Sequence, residues 1–267
     1  MFYISGNTEP KNSTEFIQAL EGGIRELIAF PADAKIVSVT GEHPAFDSVA
    51  IDLGGGRIDS AKHLNKPTLG TVGQKGVSAK TLTVLAKPLR VDAAQLTVEL
   101  SATQVSLNYH SDASGRLMLV PASSEKGILK LEISRADLET LILARATIAA
   151  AQQGAKITGL ELKLTPRGER SLAIEVRVHA KKMMMAGVVC ISGHVDIDDR
   201  LTARLSQMSC EGEGVAGKIA AGFLTPKIKQ VDGRSFPLAD ESLNGLRLRD
   251  LRITRVDPVQ VVAAFGT

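Results

Sequence analysis

The feature that most constrains this chain is a period of two. From Gly159 to Ala180 the sequence reads GLELKLTPRGERSLAIEVRVHA. Leu160, Leu162 and Leu164 fall on one parity, and across a Pro166–Gly168 turn so do Leu172, Ile174, Val176 and Val178. Glu161, Lys163, Glu175 and Arg177 take the other parity. Alternation of this kind belongs to an antiparallel hairpin with one packed and one wet face, because successive strand side chains point to opposite sides. The next segment, HAKKMMMAGVVCISGHVDIDD (179–199), breaks the pattern. Val189, Ile191, Val195 and Ile197 share one parity with Met183 and Met185, while His194, Asp196 and Asp198 share the other. Between Met183 and Cys190 both parities are apolar, so that strand is expected to be covered on two sides.

The rest of the chain repeats the theme. Asn12 followed by Glu15 marks a helix start, and Phe16, Ile17, Leu20, Ile24, Leu27 and Ile28 recur at helical spacing until Pro31. Short alternating segments follow at 36–40, 48–53, 82–86, 96–100, 105–109, 117–120 and 128–133, separated by Gly, Pro, Asn and Asp clusters. Ser134 and Asp137 open a second helix carrying Leu138, Leu141 and Ile142, with Gly154 beyond its end. LTARLSQMS supplies a further strand. Val215, Ile219, Ala220 and Phe223 mark a short amphipathic helix stopped by Pro226, and LRLRDLRIT is a closing strand whose parity changes at Asp250. The fold class is α+β, helix-then-meander twice (12–133 and 134–267). No linker separates the halves, so residues 1–267 read as one continuous domain built of two halves, with two intimately packed halves as the alternative. The economical packing is a strongly curved antiparallel β-sheet wrapped around long amphipathic helices.

Several motifs carry little chemistry. GEGVAGKI (212–219) has the glycine and lysine spacing of a phosphate-binding loop, but Ile219 stands where that loop needs Ser or Thr for magnesium. A strand-to-helix turn explains its glycines better. His194, Asp196 and Asp198 could face a cation, yet alternating polar residues on a wet strand face need no ligand. GTVGQKGVSAK (70–80) reads as a solvated loop before a strand. Arg247, Arg249, Arg252 and Arg255 read as a solvated face balanced by Asp250 and Asp257. Cys190 and Cys210 read as two small apolar residues rather than a bridge. No acid–base pair or nucleophile has a recognisable setting, so neither an enzyme nor a cofactor or metal is expected.

Composition removes other classes. Aromatic residues make up 3% of the chain, too few to build base-stacking platforms, and 32 basic against 29 acidic residues leave no basic field for nucleic acid. A net charge of +3 permits contact with an anionic membrane surface. No charged segment followed by an apolar run opens the chain, and no apolar run reaches the ~18 residues of a membrane span, so a cytoplasmic protein is expected.

The pattern of the C-terminal half resembles a bacterial phospholipid-binding family of the tubular lipid-binding (TULIP-like) type. It runs from ISRADLETLI (133–142) through the hairpin and long strand (160–198) to GVAGKIAAGFLTPKI (214–228) and FPLADESLNGLRLRDLRIT (236–254). The resemblance implies a long helix inside a curved sheet, with a seam between them that takes acyl chains. The expected function is therefore non-enzymatic binding of a lipid or other hydrophobic molecule. Its lining would be Leu138, Leu141, Ile142, Met183, Met185, Val189, Ile191, Ile219 and Phe223, with methionine adapting to irregular guests. The alternative is a structural or interaction module without a small ligand, in which Met184 and Val188 form a homodimer or complex surface.

Overall fold

The computed structural model describes residues 1–6, 8–59, 75–152, 154–182, 185–238 and 246–266. The fold is α+β and dominated by antiparallel pairing. By its contacts the chain divides into two compact units. Unit 1 comprises Met1–Glu132, Asp240–Asp250 and Val262–Thr267, and unit 2 comprises Ile133–Ala239 and Leu251–Val261. The chain then returns to unit 1 near its end, which periodicity did not foretell.

Unit 1 begins with β1 (Phe2–Tyr3) and α1 (Ser13–Leu27). The expected cap is formed: Asn12 Oδ1 accepts the Glu15 amide at 2.9 Å, and Glu15 reaches back to the Lys11 amide at 2.9 Å. Gly23 is tolerated mid-helix because β1 crosses there; a Cβ on Gly23 would overlap the Tyr3 carbonyl. The strands are β2 (Val37–Glu42), β3 (Ala45–Asp52), β4 (Arg57–Ile58), β5 (Lys75–Val91), β6 (Ala94–Ser111), β7 (Leu117–Ser123) and β8 (Lys126–Ile133). With β14 (Leu248–Val256) and β15 (Val259–Phe265) they form a ten-stranded sheet along the path β14-β15-β8-β6-β5-β3-β2. Segments expected as separate short strands prove to be parts of two long ones. The 82–86 run lies in β5, and the 96–100 and 105–109 runs both lie in β6. The 75–80 stretch, expected as loop, is the start of β5; residues 70–74 and His63 lie outside the described residues. Two pairings depart from the antiparallel expectation: β3 and β5 run parallel, Val49 opposite Leu82 and Ile51 opposite Val84, and the short β4 also runs parallel to β5, Arg57 opposite Arg90.

The core of unit 1 is closed. Phe16, Leu20 and Ile24 of α1 pack with Phe46, Val49, Ile51, Val77, Leu107 and Leu119, and Phe16 meets Phe46 with ring centroids 5.0 Å apart. Glu21 on the same helix accepts the amides of Ile36 and Val37 at 2.9 and 3.0 Å and so ties the start of β2 to the helix. Phe265, at the end of β15, belongs to this core and lies over Gly127 of β8.

Unit 2 contains α2 (Arg135–Ala151), β9 (Lys156–Gly168), β10 (Ser171–Lys182), β11 (Met185–Ile197), β12 (Thr202–Glu213), α3 (Gly214–Val231) and β13 (Ser235–Pro237). Its five-stranded sheet runs β13-β12-β11-β10-β9, antiparallel throughout. The hairpin has the expected register, Leu160 opposite Val178, Leu162 opposite Val176 and Leu164 opposite Ile174. Its turn lies two residues later than expected, at Glu169–Arg170, because Leu172 pairs with Pro166 and the strand continues to Gly168 through a bulge. Helix α3 is longer than expected and passes through Pro226 to Val231. Proline costs one helical bond by having no N–H to donate, and here the carbonyl deprived is that of Gly222, on an exposed turn. Asp250, where a parity change is expected, is where the chain leaves unit 1: exposed positions shift from Arg249 to Arg252 and Thr254.

Candidate functional site

The register of unit 2 sorts its side chains into two faces. Opposed residues in antiparallel strands project on the same side. One face therefore carries Leu160, Leu162 and Leu164 of β9, Leu172, Ile174, Val176 and Val178 of β10, Val189, Ile191 and Val195 of β11, and Cys210 and Gly212 of β12. Only Leu162, Leu172 and Val189 among these apolar side chains are fully buried; the others stay partly accessible. This face is the candidate site. Among the described residues no closed core comparable to that of unit 1 forms on it.

Helix α3 covers the β11–β12 side of that face. Contact is made by the backbone of Gly217, which lies against Gly187 of β11 and Gly212 of β12 so closely that a Cβ on any of the three would overlap the chain opposite. Ala221, one turn on, is also buried, and Thr225 sits near the Cys210 thiol. The helix thus seats its small-residue face on the sheet. Three large apolar residues point the other way, Val215 at 64% exposed, Ile219 at 52% and Phe223 at 75%, while Leu224 and Ile228 stay partly buried. Ile219 and Phe223 are accordingly not in a helix–sheet seam, contrary to expectation. Periodicity finds an apolar stripe but cannot say which of two stripes packs. Here the glycines decide, because a Gly217 contact brings the backbones closer than any Ile or Phe layer would permit. Leaving such side chains in water forgoes up to roughly 1.5–3 kcal/mol apiece.

Helix α2 lies along the opposite edge. Ser134 caps it by accepting the Asp137 amide at 3.0 Å, as expected, and Gly154 beyond its end takes a left-handed φ of 67°. Glu139 accepts the Leu162 amide at 3.1 Å, covering a donor of the edge strand β9. Leu138, Leu141 and Ile142 are partly buried, none fully, and Ile148 is 58% exposed. Of the remaining expected lining, Val189 is buried beneath the α3 side of the sheet, Ile191 is partly buried, and Met185 is 42% exposed at the start of β11. Met183 and Met184 lie outside the described residues.

The other face of the sheet is polar. Val188 stands between His179 and Glu213, and Cys190 between Arg177 and Glu211. Arg177 pairs with Glu213 at 2.9 Å and His179 with Glu161 at 3.0 Å. The described part of the two-sidedly apolar strand is thus apolar on its α3 side, while on the other side Val188 and Cys190 are set among charges. The cysteines are free and project from opposite faces. Burial raises both thiol pKa values, and the Glu175 carboxylate adds to the rise at Cys190, so neither is poised as a thiolate.

The three polar residues considered for a cation are already engaged. The Arg167 guanidinium donates to His194 Nδ1 at 2.6 Å. Asp196 accepts from the hydroxyls of Ser171 and Ser206, and Asp198 accepts the amides of Arg200 and Thr202 in the turn after β11. Among the described residues no group of three His, Cys, Asp or Glu is placed to hold a metal ion. A shallow depression of about 270 Å³ does open on this face, lined by Lys163, Thr165, Glu175, Ser192, His194 and Gln207. It is polar, unlike the aliphatic seam expected. The phosphate-loop spacing at 212–219 is a strand-to-helix junction, with Gly214 at a φ of 72° turning the chain into α3. Of the four arginines near the end of the chain, Arg252 pairs with Glu169 at 3.1 Å and Arg249 donates to the Gly266 carbonyl at 3.2 Å.

Among the described residues no helix is long and apolar enough to cross a membrane. No family model, curated protein or solved structure matches the chain.

Proposed function

We propose that the chain is a non-enzymatic binding protein for a lipid or similar hydrophobic molecule, held against the apolar face of unit 2. The observation that carries this reading is the contrast between the units: aliphatic residues in unit 1 close into a core, while those of β9, β10 and β11 form a continuous apolar sheet face that stays partly accessible. Aliphatic side chains suit flexible hydrocarbon, and each methylene withdrawn from water contributes about 0.8 kcal/mol before binding costs. The succession of α1 then β2–β8, and α2 then β9–β12, supports a twice-used helix-and-meander plan, and with it a sheet curved about a seam in the TULIP-like manner. The contact surface is Leu160, Leu164, Ile174, Val176 and Ile191, flanked by Leu138, Leu141 and Ile142 of α2; Ile219 and Phe223 are not part of it.

Mass spectrometry on protein purified without detergent, run native and after organic extraction, tests the reading. A lipid at near-stoichiometric amount is expected, and its loss from a folded Val176→Lys variant. A ligand-free spectrum for the wild-type chain sinks it. The second reading, a subunit of a larger assembly, is favoured by α2, which has no fully buried residue and an exposed Ile148. A ligand-free but stably oligomeric protein in light scattering would select it.

A further inference from the structure

The stripe that α3 turns away from its sheet is the most exposed apolar feature of unit 2, and the chemistry around it names an occupant. Val215, Ile219 and Phe223 recur every four residues and are 64%, 52% and 75% exposed. Gly222 and Pro226 are exposed between and beyond them. Lys218, Lys227 and Lys229, all exposed, flank the ridge, and residues 214–231 contain no acidic side chain. We infer that this face is a docking surface for an anionic lipid bilayer, lying in the plane of the headgroups with its apolar ridge at the acyl boundary. An apolar ridge with an aromatic residue, bordered by lysines, is what an interfacial helix needs: buried area for affinity and cationic charge for the phosphates.

Two further details fit that occupant. The opposite face of α3 is held to β11 and β12 through Gly217 and Ala221, so the helix presents its ridge as a fixed platform and lies along a surface rather than crossing it. Pro226 has no N–H for the Gly222 carbonyl, so that carbonyl needs a partner from water or headgroups, which suits shallow insertion and not hydrocarbon depth. A second copy of the chain is a poorer fit. A symmetric contact uses the same patch on both subunits, so it would bring the lysines of one helix against those of the other.

The inference stands apart from whether the sheet carries a ligand. Co-sedimentation of the full chain with vesicles tests it, using phosphatidylcholine alone and phosphatidylcholine mixed with phosphatidylglycerol. The wild-type chain is expected to pellet with the mixed vesicles and not with the neutral ones. Phe223→Glu, at an exposed position that leaves the fold alone, is expected to abolish pelleting. Replacing Lys218, Lys227 and Lys229 together by Gln is expected to weaken it about a hundredfold, at roughly fivefold per lysine. Ile148→Glu, on α2, is expected to bind like wild type. The lipid content of purified Phe223→Glu is expected to be unchanged, which separates docking from carriage. A wild-type chain that stays in the supernatant, or a Phe223→Glu variant that pellets as well as wild type, overturns the inference. So does a wild-type dimer that Phe223→Glu dissociates and that ignores vesicles, which would assign the face to a second copy.

Discussion

Gly217 illustrates how one residue orients an element. Its missing side chain allows the α3 backbone to meet Gly187 and Gly212, and that contact sends Ile219 and Phe223 outward. Gly217→Val is expected to destabilise unit 2 by about 1–3 kcal/mol or more, because the added methyls would overlap the Val188 backbone; urea unfolding followed by circular dichroism measures it. Two titrations belong to this scale as well. Burial, helped by the Glu9 charge, pushes the Tyr109 phenol up to about 12, against about 10 in an unfolded chain. The folded chain therefore holds that proton more tightly, and its stabilising effect, whole below about pH 10, should be lost as pH rises toward 12. Asp112 runs oppositely: the Ser114 hydroxyl, then the Arg116 and Ser114 amides and the Arg116 side chain, hold its carboxyl down at about 2. Its contribution is present above about pH 4 and lost as pH falls through 2. Melting temperatures of wild type, Tyr109→Phe and Asp112→Asn across pH check both windows: each variant should lack the corresponding slope.

At the scale of elements, local signals were legible and choices between faces were not. The Asn12–Glu15 and Ser134–Asp137 caps and the register of Leu160–Leu164 against Ile174–Val178 follow from spacing alone, since caps and alternation are set within a few residues. The pairing of β3 with β5 was not legible, because a parallel partner is chosen across a crossover and leaves no local mark. Nor was the orientation of α3. The sequence does hold a second signal there, Gly217 and Ala221 one turn apart opposite Gly187 and Gly212, but it acquires meaning only when the strands are beside the helix. The role of Glu139 was hidden for the same reason, as its target is an amide in another element. Glu139→Ala is expected to leave the Leu162 N–H unpaired, at about 1–3 kcal/mol, and to speed its hydrogen exchange while Glu139→Gln does not. Equal exchange rates in the two variants would show that the carboxylate does not cover the edge.

For the whole molecule, the uneven distribution of core predicts uneven stability. Amides in β3, β5 and β6, which border the closed core of unit 1, are expected to exchange only at the global unfolding limit. Those in β9 and β10 should exchange faster, through local opening. Addition of an extracted lipid should slow β9 and β10 and leave unit 1 unchanged; slowing confined to unit 1 would place the ligand elsewhere. The contrast itself was half visible in the sequence, since apolar content is spread along the chain but nothing in periodicity separates a filled core from a lined surface.

The return of the chain to its first unit has a consequence for synthesis. Unit 1 takes most of its residues from before Glu132 but needs Val262–Phe265, and Phe265 sits in its core. Roughly 130 residues intervene between those two segments. At about 5–20 residues per second, a ribosome spends on the order of 6–26 s making them while the apolar groove meant for Phe265 stands open. Over that interval the nascent chain is a natural client for a chaperone, and a premature stop after Val261 would release a protein that can never bury that groove.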